Sequence, residues 1–141
     1  MLALRRIWGL VAAFRGATHG NVAVIFALSA VPLISFVGAA IDYSRANAAR
    51  SSMQAALDSA SLMLSRDLGN GTITSSQIST KAAAYVSALY TNKDAPSVSV
   101  TATYTAASGS TPASIKLDGT GSIVTDFMQV VGIPNMNIKA S

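Results

Sequence analysis

The stretch from Val22 to Ile41 holds twenty residues without a charge, broken only by Ser29, Pro32, Ser35 and Gly38. As an α-helix rising about 1.5 Å per residue it would extend roughly 30 Å, the thickness of a bilayer's hydrocarbon core. No other feature narrows the fold so far. In a chain of 141 residues it withdraws a whole helix from any water-soluble core, so the folded remainder must be small. Pro32 removes one donor from the helical ladder, and the hydroxyls of Ser29 and Ser35 stand near enough to answer the carbonyl it frees, with a mild kink. Val22, Pro32 and Ile41 mark the start, bend and exit of an expected transmembrane helix over residues 21–41.

Two other readings of this stretch compete with a membrane anchor. A secretory signal would be cut after small residues such as Gly38-Ala39-Ala40, but signal h-regions run for only about 7 to 15 apolar residues. A twin-arginine signal at Arg5-Arg6 fits less well, because the apolar run behind it ends at Arg15. Arg5, Arg6 and Arg15 precede the long run with no acid among them, against Arg45 and Arg50 soon after it. That asymmetry makes these arginines the topology-determining residues and places the N-terminus in the cytoplasm. Residues 1–20 read as a basic cytoplasmic leader. It is either a disordered arm or a short interfacial helix with Leu4, Ile7, Trp8, Val11 and Phe14 near one face.

The polar residues argue against catalysis. The six acids are all aspartates, His19 is the single histidine and there is no cysteine, so a thiolate or histidine-cluster metal site has no ligands and a nucleophile has no convincing base. No Walker loop, GxSxG or SxxK is present. The expectation is therefore no catalytic, cofactor-binding or metal residues and no cofactor. The formal charge of +4 is concentrated around the apolar run and is not interleaved with aromatics, which sets nucleic acid aside as a partner. Asn70-Gly71-Thr72 matches a glycosylation acceptor, a pattern too common to carry a function.

Beyond Ile41 the helix is expected to continue. Ser44 to Leu68 contains no glycine or proline, and apolar residues recur with a period of 3.6 at Ala46, Ala49, Met53, Ala56, Leu57, Ala60, Met63, Leu64 and Leu68. Met53, Leu57, Ala60 and Leu64 define its packing face, and Gly69-Asn70-Gly71 is the stop. Thr74 and Gln77 have capping-box spacing ahead of a second helix, about 75–91, with Ile78, Ala82, Tyr85 and Leu89 inward. The period then falls to two, with Val98, Val100, Ala102 and Tyr104 alternating with serine and threonine, and Ile115 and Leu117 doing the same. Strands are expected at about 97–106, 113–123 and 135–140, antiparallel, with a bulge or kink at Gly119 and Gly121. Between the last two, Asp126 or Thr125 should cap a short helix, FMQVV, ended by Gly132 and Pro134. The fold class is α+β: a long N-terminal helix, membrane-spanning and then amphipathic, a second helix, and a small antiparallel sheet of two to three strands. Residues 42–141 form the outward-facing domain.

The segment GNVAVIFALSAVPLISFVGAAIDYSRANAARSSMQAALDSASL resembles the N-terminal region of the TadE/TadG-like proteins of tight-adherence (Flp, type IVb) pilus assembly. The marks are the Gly-Asn opening, the alanine-rich run with Pro32, the Ile-Asp-Tyr exit at Ile41 to Tyr43, and the amphipathic helix through Leu62. More weakly, TDFMQVVGIPNMNIKAS resembles the stretch that closes this module in TadG-like proteins. The resemblance implies a pilin-like helix in the bacterial inner membrane, a periplasmic or surface-exposed domain, and a non-catalytic part in building or tethering an adhesive pilus. Its implied partners are the membrane, other pilus assembly proteins or pilins, and further copies of itself in a homo-oligomer. A small residue, a basic leader and an apolar helix beginning at once make Gly20-Asn21 a candidate prepilin peptidase site, with a plain helix breaker at the lipid boundary as the other reading of Gly20.

Two departures qualify the carry-over. Processed pilins carry glutamate five residues after the cleaved glycine, where this chain has Ile25, which argues against polymerisation as a major pilin. Asp58-Ser59-Ala60-Ser61 does not match the DxSxS metal motif of the longer TadG-like proteins, which fits a short member or a chain cut near Ser141. Two alternatives stand beside the pilus reading: a membrane-anchored periplasmic binding module unrelated to a pilus, and a secreted domain released by signal peptidase.

Overall fold

The computed structural model describes residues 21–141. Helix α1 spans Asn21–Gly69, α2 spans Ile78–Leu89, and three strands follow: β1 Val98–Thr105, β2 Ser114–Val124 and β3 Asn135–Ala140. Short 3-10 turns occupy Ser75–Gln77 and Met128–Val131. This is an α+β chain with a long N-terminal helix, a second helix and a three-stranded antiparallel sheet in the order β1-β2-β3. Its contacts divide it into two units, Met1–Gly38 and Ala39–Ser141.

In the second unit the alanine-rich part of α1 lets other elements approach closely on one side. Ala46, Ala49, Met53, Ala56, Leu57, Ala60 and Leu64 are all buried there. Ile78, Ala82 and Val86 of α2 and Leu117, Ile123, Ile138 and Ala140 of the sheet complete the same core. Fully burying a side chain such as Leu57, Leu64 or Ile78 contributes about 1.5–3 kcal/mol, which is what holds a marginal alanine-rich helix in place. Met63, expected in the stripe, is 42% exposed, because Ala60 and Leu64 on either side of it take the inward positions and leave it at the flank of the buried face.

Helix α1 ends where Asn70, Gly71 and Thr72 donate back to the carbonyls of Arg66, Leu68 and Asp67, with Gly71 at a φ of 72° that suits a residue without Cβ. The second helix begins after Thr74, whose N–H donates to Gln77 Oε1 at 2.9 Å. Its buried face is Ile78, Ala82 and Val86, a strict four-residue spacing, and it lies beside β1. Leu89 is exposed and Tyr85 only half-buried, which corrects the expected face. The Tyr85 hydroxyl reaches back to donate to Asp67 Oδ2 at 2.6 Å, tying α2 to the end of α1, and this bond pushes the phenol pKa up.

The sheet shows no bulge. Pairing of β2 with β1 runs unbroken from Ser114 to Gly121, and with β3 from Gly119 to Val124. The glycines serve close approach instead. A Cβ on Gly119 would stand 3.0 Å from Leu57 Cδ1 and 3.1 Å from Met53 Sδ, so β2 meets α1 here with no space for a side chain.

Candidate functional site

Two features of α1 set the candidate site: its apolar run and the aspartate that follows it. The first is the apolar part of α1. Val22, Phe26, Leu28, Val31, Leu33, Ile34, Phe36 and Val37 are each more than half exposed, a continuous apolar surface that water disfavours. The helix runs through Pro32 without a break. The Ser35 hydroxyl donates to the Val31 carbonyl at 2.8 Å, so it does not answer the carbonyl of Leu28 that Pro32 leaves without its helical donor. Ile41, at the end of the run, is 42% exposed. Arg5, Arg6, Arg15 and Gly20, together with the interfacial helix considered for residues 2–14, lie outside the described residues. Asn21 is the first residue of the helix.

The second feature begins one residue later. Asp42 is 1% exposed, yet it is a carboxylate in a core. Burial alone would raise its pKa, but three backbone donors converge on it and more than offset that cost: Asp126 N–H on Oδ1 at 3.0 Å, and Phe127 and Met128 N–H on Oδ2 at 2.9 and 2.8 Å. Arg45 adds a nearby positive charge, its Nη1 3.8 Å from Asp42 Oδ1. The net effect holds Asp42 below the usual carboxylate range, so it is ionised and acceptor-only. It takes up donors that lead into the Met128–Val131 turn, so the cap expected from Asp126 or Thr125 comes from a residue 84 positions earlier than Asp126.

Arg45, one turn further along α1, extends the junction. Its guanidinium bonds Asp94 at 2.7 Å and also Asp126, using its fork to hold the end of the α2–β1 connection and the β2–β3 connection together. The hydrogen bond that Arg45 donates to Asp94, then the surrounding carboxylates, push the Arg45 pKa up. Thr125, fully buried, donates through its hydroxyl to the Ile133 carbonyl, and its N–H pairs with Pro134 O at 3.0 Å. Together these contacts close the β2–β3 connection as a tight loop fixed to α1. Its side chains point the other way: Phe127, Val130, Val131 and Ile133 are 41%, 84%, 63% and 43% exposed.

The packing-face residues Met53, Leu57, Ala60 and Leu64 are buried at 1% exposure or less. Asp42 was visible in the sequence only as the Asp of the Ile-Asp-Tyr exit. A buried role could be suspected there because it is the first charge after twenty uncharged residues, but nothing local names its partners. Among the described residues no group of three or more histidine, cysteine or acidic side chains is placed to hold a metal.

Among the described residues one helix is long and apolar enough to cross a membrane, and the unit Ala39–Ser141 carries a buried aspartate that accepts three backbone hydrogen bonds. The family model of Flp pilus-assembly TadE/G-like proteins matches residues 20–63, a segment that takes in the apolar run, Asp42, Arg45 and the packing face through Ala60. The match supports involvement in Flp pilus assembly. No curated protein and no solved structure matches the chain.

Proposed function

We propose that the protein is a non-catalytic, single-pass, pilin-like component of tight-adherence pilus assembly and surface adhesion. The observation that carries this is the family match over residues 20–63, the same residues that supply the apolar run and the amphipathic continuation of one helix. In this reading residues 1–20 are a cytoplasmic leader held by Arg5, Arg6 and Arg15, residues 21–41 cross the inner membrane, and residues 42–141 face the periplasm or the cell surface. Its partners are the membrane, the pilins or other assembly proteins, and further copies of the chain. Gly20-Asn21 is the prepilin peptidase site, since a small residue, a basic leader and an apolar helix starting at once meet what such an enzyme needs.

Membrane fractionation, a periplasm-dependent reporter fused after Ser141 and N-terminal sequencing from a peptidase-competent host test it together. A first residue of Asn21 establishes processing, and Gly20→Val then leaves a longer protein that inserts but supports no pilus. Met1 as first residue removes the processed-pilin version and leaves an anchored assembly factor. Ile41 as first residue, or a reporter active only in the cytoplasm, overturns the proposal.

A further inference from the structure

We propose that the β2–β3 connection, residues 127–133, is a second membrane contact that seats in the headgroup–acyl boundary of the bilayer crossed by α1. The inference rests on the membrane-spanning reading above. Three observations carry it.

First, the connection is apolar on its outside. Val130 and Val131 are 84% and 63% exposed, Phe127 and Ile133 are 41% and 43% exposed, and no charged residue occurs from Phe127 to Ile138. Four large apolar side chains on one short loop are a patch that water disfavours.

Second, it is tied to the residue that follows the apolar run. Asp42 binds the N–H groups of Asp126, Phe127 and Met128, and Asp42 is the residue immediately after the uncharged run. If residues 22–41 fill the hydrocarbon core, chain connectivity alone puts Asp42 at its outer margin, and a loop bonded to Asp42 cannot lie far from that residue. Arg45 and its partners Asp94 and Asp126 then lie on the water side of that margin, as charges require. Tyr43, 66% exposed at this level, is a residue type enriched at membrane interfaces.

Third, the loop's backbone suits a non-aqueous medium. The N–H groups of Asp126, Phe127 and Met128 are taken by Asp42, and those of Val130, Gly132 and Ile133 by the carbonyls of Phe127, Gln129 and Met128. Donors already paired cost little on entering the boundary, whereas free ones would hold the loop in water. An apolar outside, a largely paired backbone and attachment to Asp42 favour lipid as the occupant over a protein partner, which would select for exposed polar groups at its rim.

The test uses the full chain with Trp8→Phe, reconstituted in vesicles of zwitterionic and anionic phospholipid, with one tryptophan placed in turn at Val130, Val31 or Thr101. Lipids brominated high on the acyl chain report contact with the boundary, lipids brominated near the chain end report the bilayer centre where Val31 would lie, and aqueous acrylamide reports exposure to water. Val130→Trp is expected to lose most of its emission to the lipid brominated high on the chain and little to acrylamide, while Thr101→Trp, on the exposed face of β1, does the reverse. Quenching of Val31→Trp by brominated lipid without quenching of Val130→Trp overturns the loop contact and leaves the spanning helix standing. Lack of lipid quenching at Val31 overturns both. A Val130→Trp emission shielded from acrylamide only at high protein-to-lipid ratio, without lipid quenching, shows that a second copy covers the loop and overturns the proposal.

Discussion

Replacing Gly119 with valine tests the closest approach in the domain. The Cβ alone would sit 3.0 Å from Leu57 Cδ1, 3.1 Å from Met53 Sδ and 3.3 Å from Met53 Cγ, where relaxed contacts lie at about 3.5–4.0 Å. Neither neighbour can swing into water, since Leu57 is 1% and Met53 0% exposed, and the two further methyls of valine enter the same space. Overpacking of this kind costs about 1–3 kcal/mol. In a unit of roughly one hundred residues that lowers the melting temperature by about 5–20 °C. Gly69→Ala is the control, because a Cβ there meets nothing within 4 Å and its backbone needs no glycine. Stepped heating of the full chain in detergent micelles, followed by brief proteolysis, reads the temperature at which the Ala39–Ser141 unit becomes cleavable. A further check is Gly119→Ala combined with Met53→Ala, which should cost less than the sum of the two by about 0.5–3 kcal/mol, since the new methyl fills part of the new cavity. Wild-type melting of Gly119→Val, or strict additivity in the pair, would refute the packing described here.

Leu57→Asp should destabilise the domain by about 3–5 kcal/mol through lost burial and an unpaired charge, while Ser59→Asp, on the exposed face, stays within about 0.5 kcal/mol; equal melting of the two would put the buried face elsewhere. Val31→Arg places a charge mid-way along the apolar run at a cost of at least about 2.5 kcal/mol on insertion scales, so its yield in the membrane fraction should fall, and an unchanged yield would count against a spanning helix. Because Asp42 titrates below the ordinary 3.8 when folded, the unfolded chain binds more protons near that pH; its contribution is present above about 3.8 and is lost as acid carries the pH through the folded value. Asp42→Asn should therefore lower stability at neutral pH and flatten the acid limb of a stability–pH curve. Both carboxylate oxygens accept N–H bonds, and an amide can supply only one such oxygen.

What was legible in the sequence was what local periodicity encodes. Ala46 through Leu64 lie on one stripe, Val98 to Tyr104 and Ile115 with Leu117 alternate, and Gly69-Asn70-Gly71 is stop chemistry, so the α+β class and its elements follow from spacing alone. Errors fell where packing decides between adjacent faces. In α2 an inward Tyr85 and an inward Val86 are equally compatible with a helical period, and proximity to β1 selects Val86. Gly119 and Gly121 have the signature of a bulge and of a close approach alike, and only the position of Met53 and Leu57 distinguishes them. The Asp42 junction was not readable at all in its partners, because backbone N–H groups 84 to 86 residues away carry no side-chain signature.

The order in which the core is built has a consequence for synthesis. The amphipathic half of α1 is made first, but Leu117, Ile123, Ile138 and Ala140, which cover it, come after it in the chain, and Ala140 about 70 residues after Gly69. At ribosomal speeds of about 5–20 residues per second, the stripe from Ala46 to Leu64 therefore stays uncovered for several seconds while the helix before it is already apolar enough to enter lipid. During that interval Asp42 also has none of the N–H donors that later satisfy it. The nascent domain is thus most vulnerable to misplaced membrane insertion and to self-association before its last strand arrives, and a chaperone acting on this protein would have to hold residues 46–64 through that window.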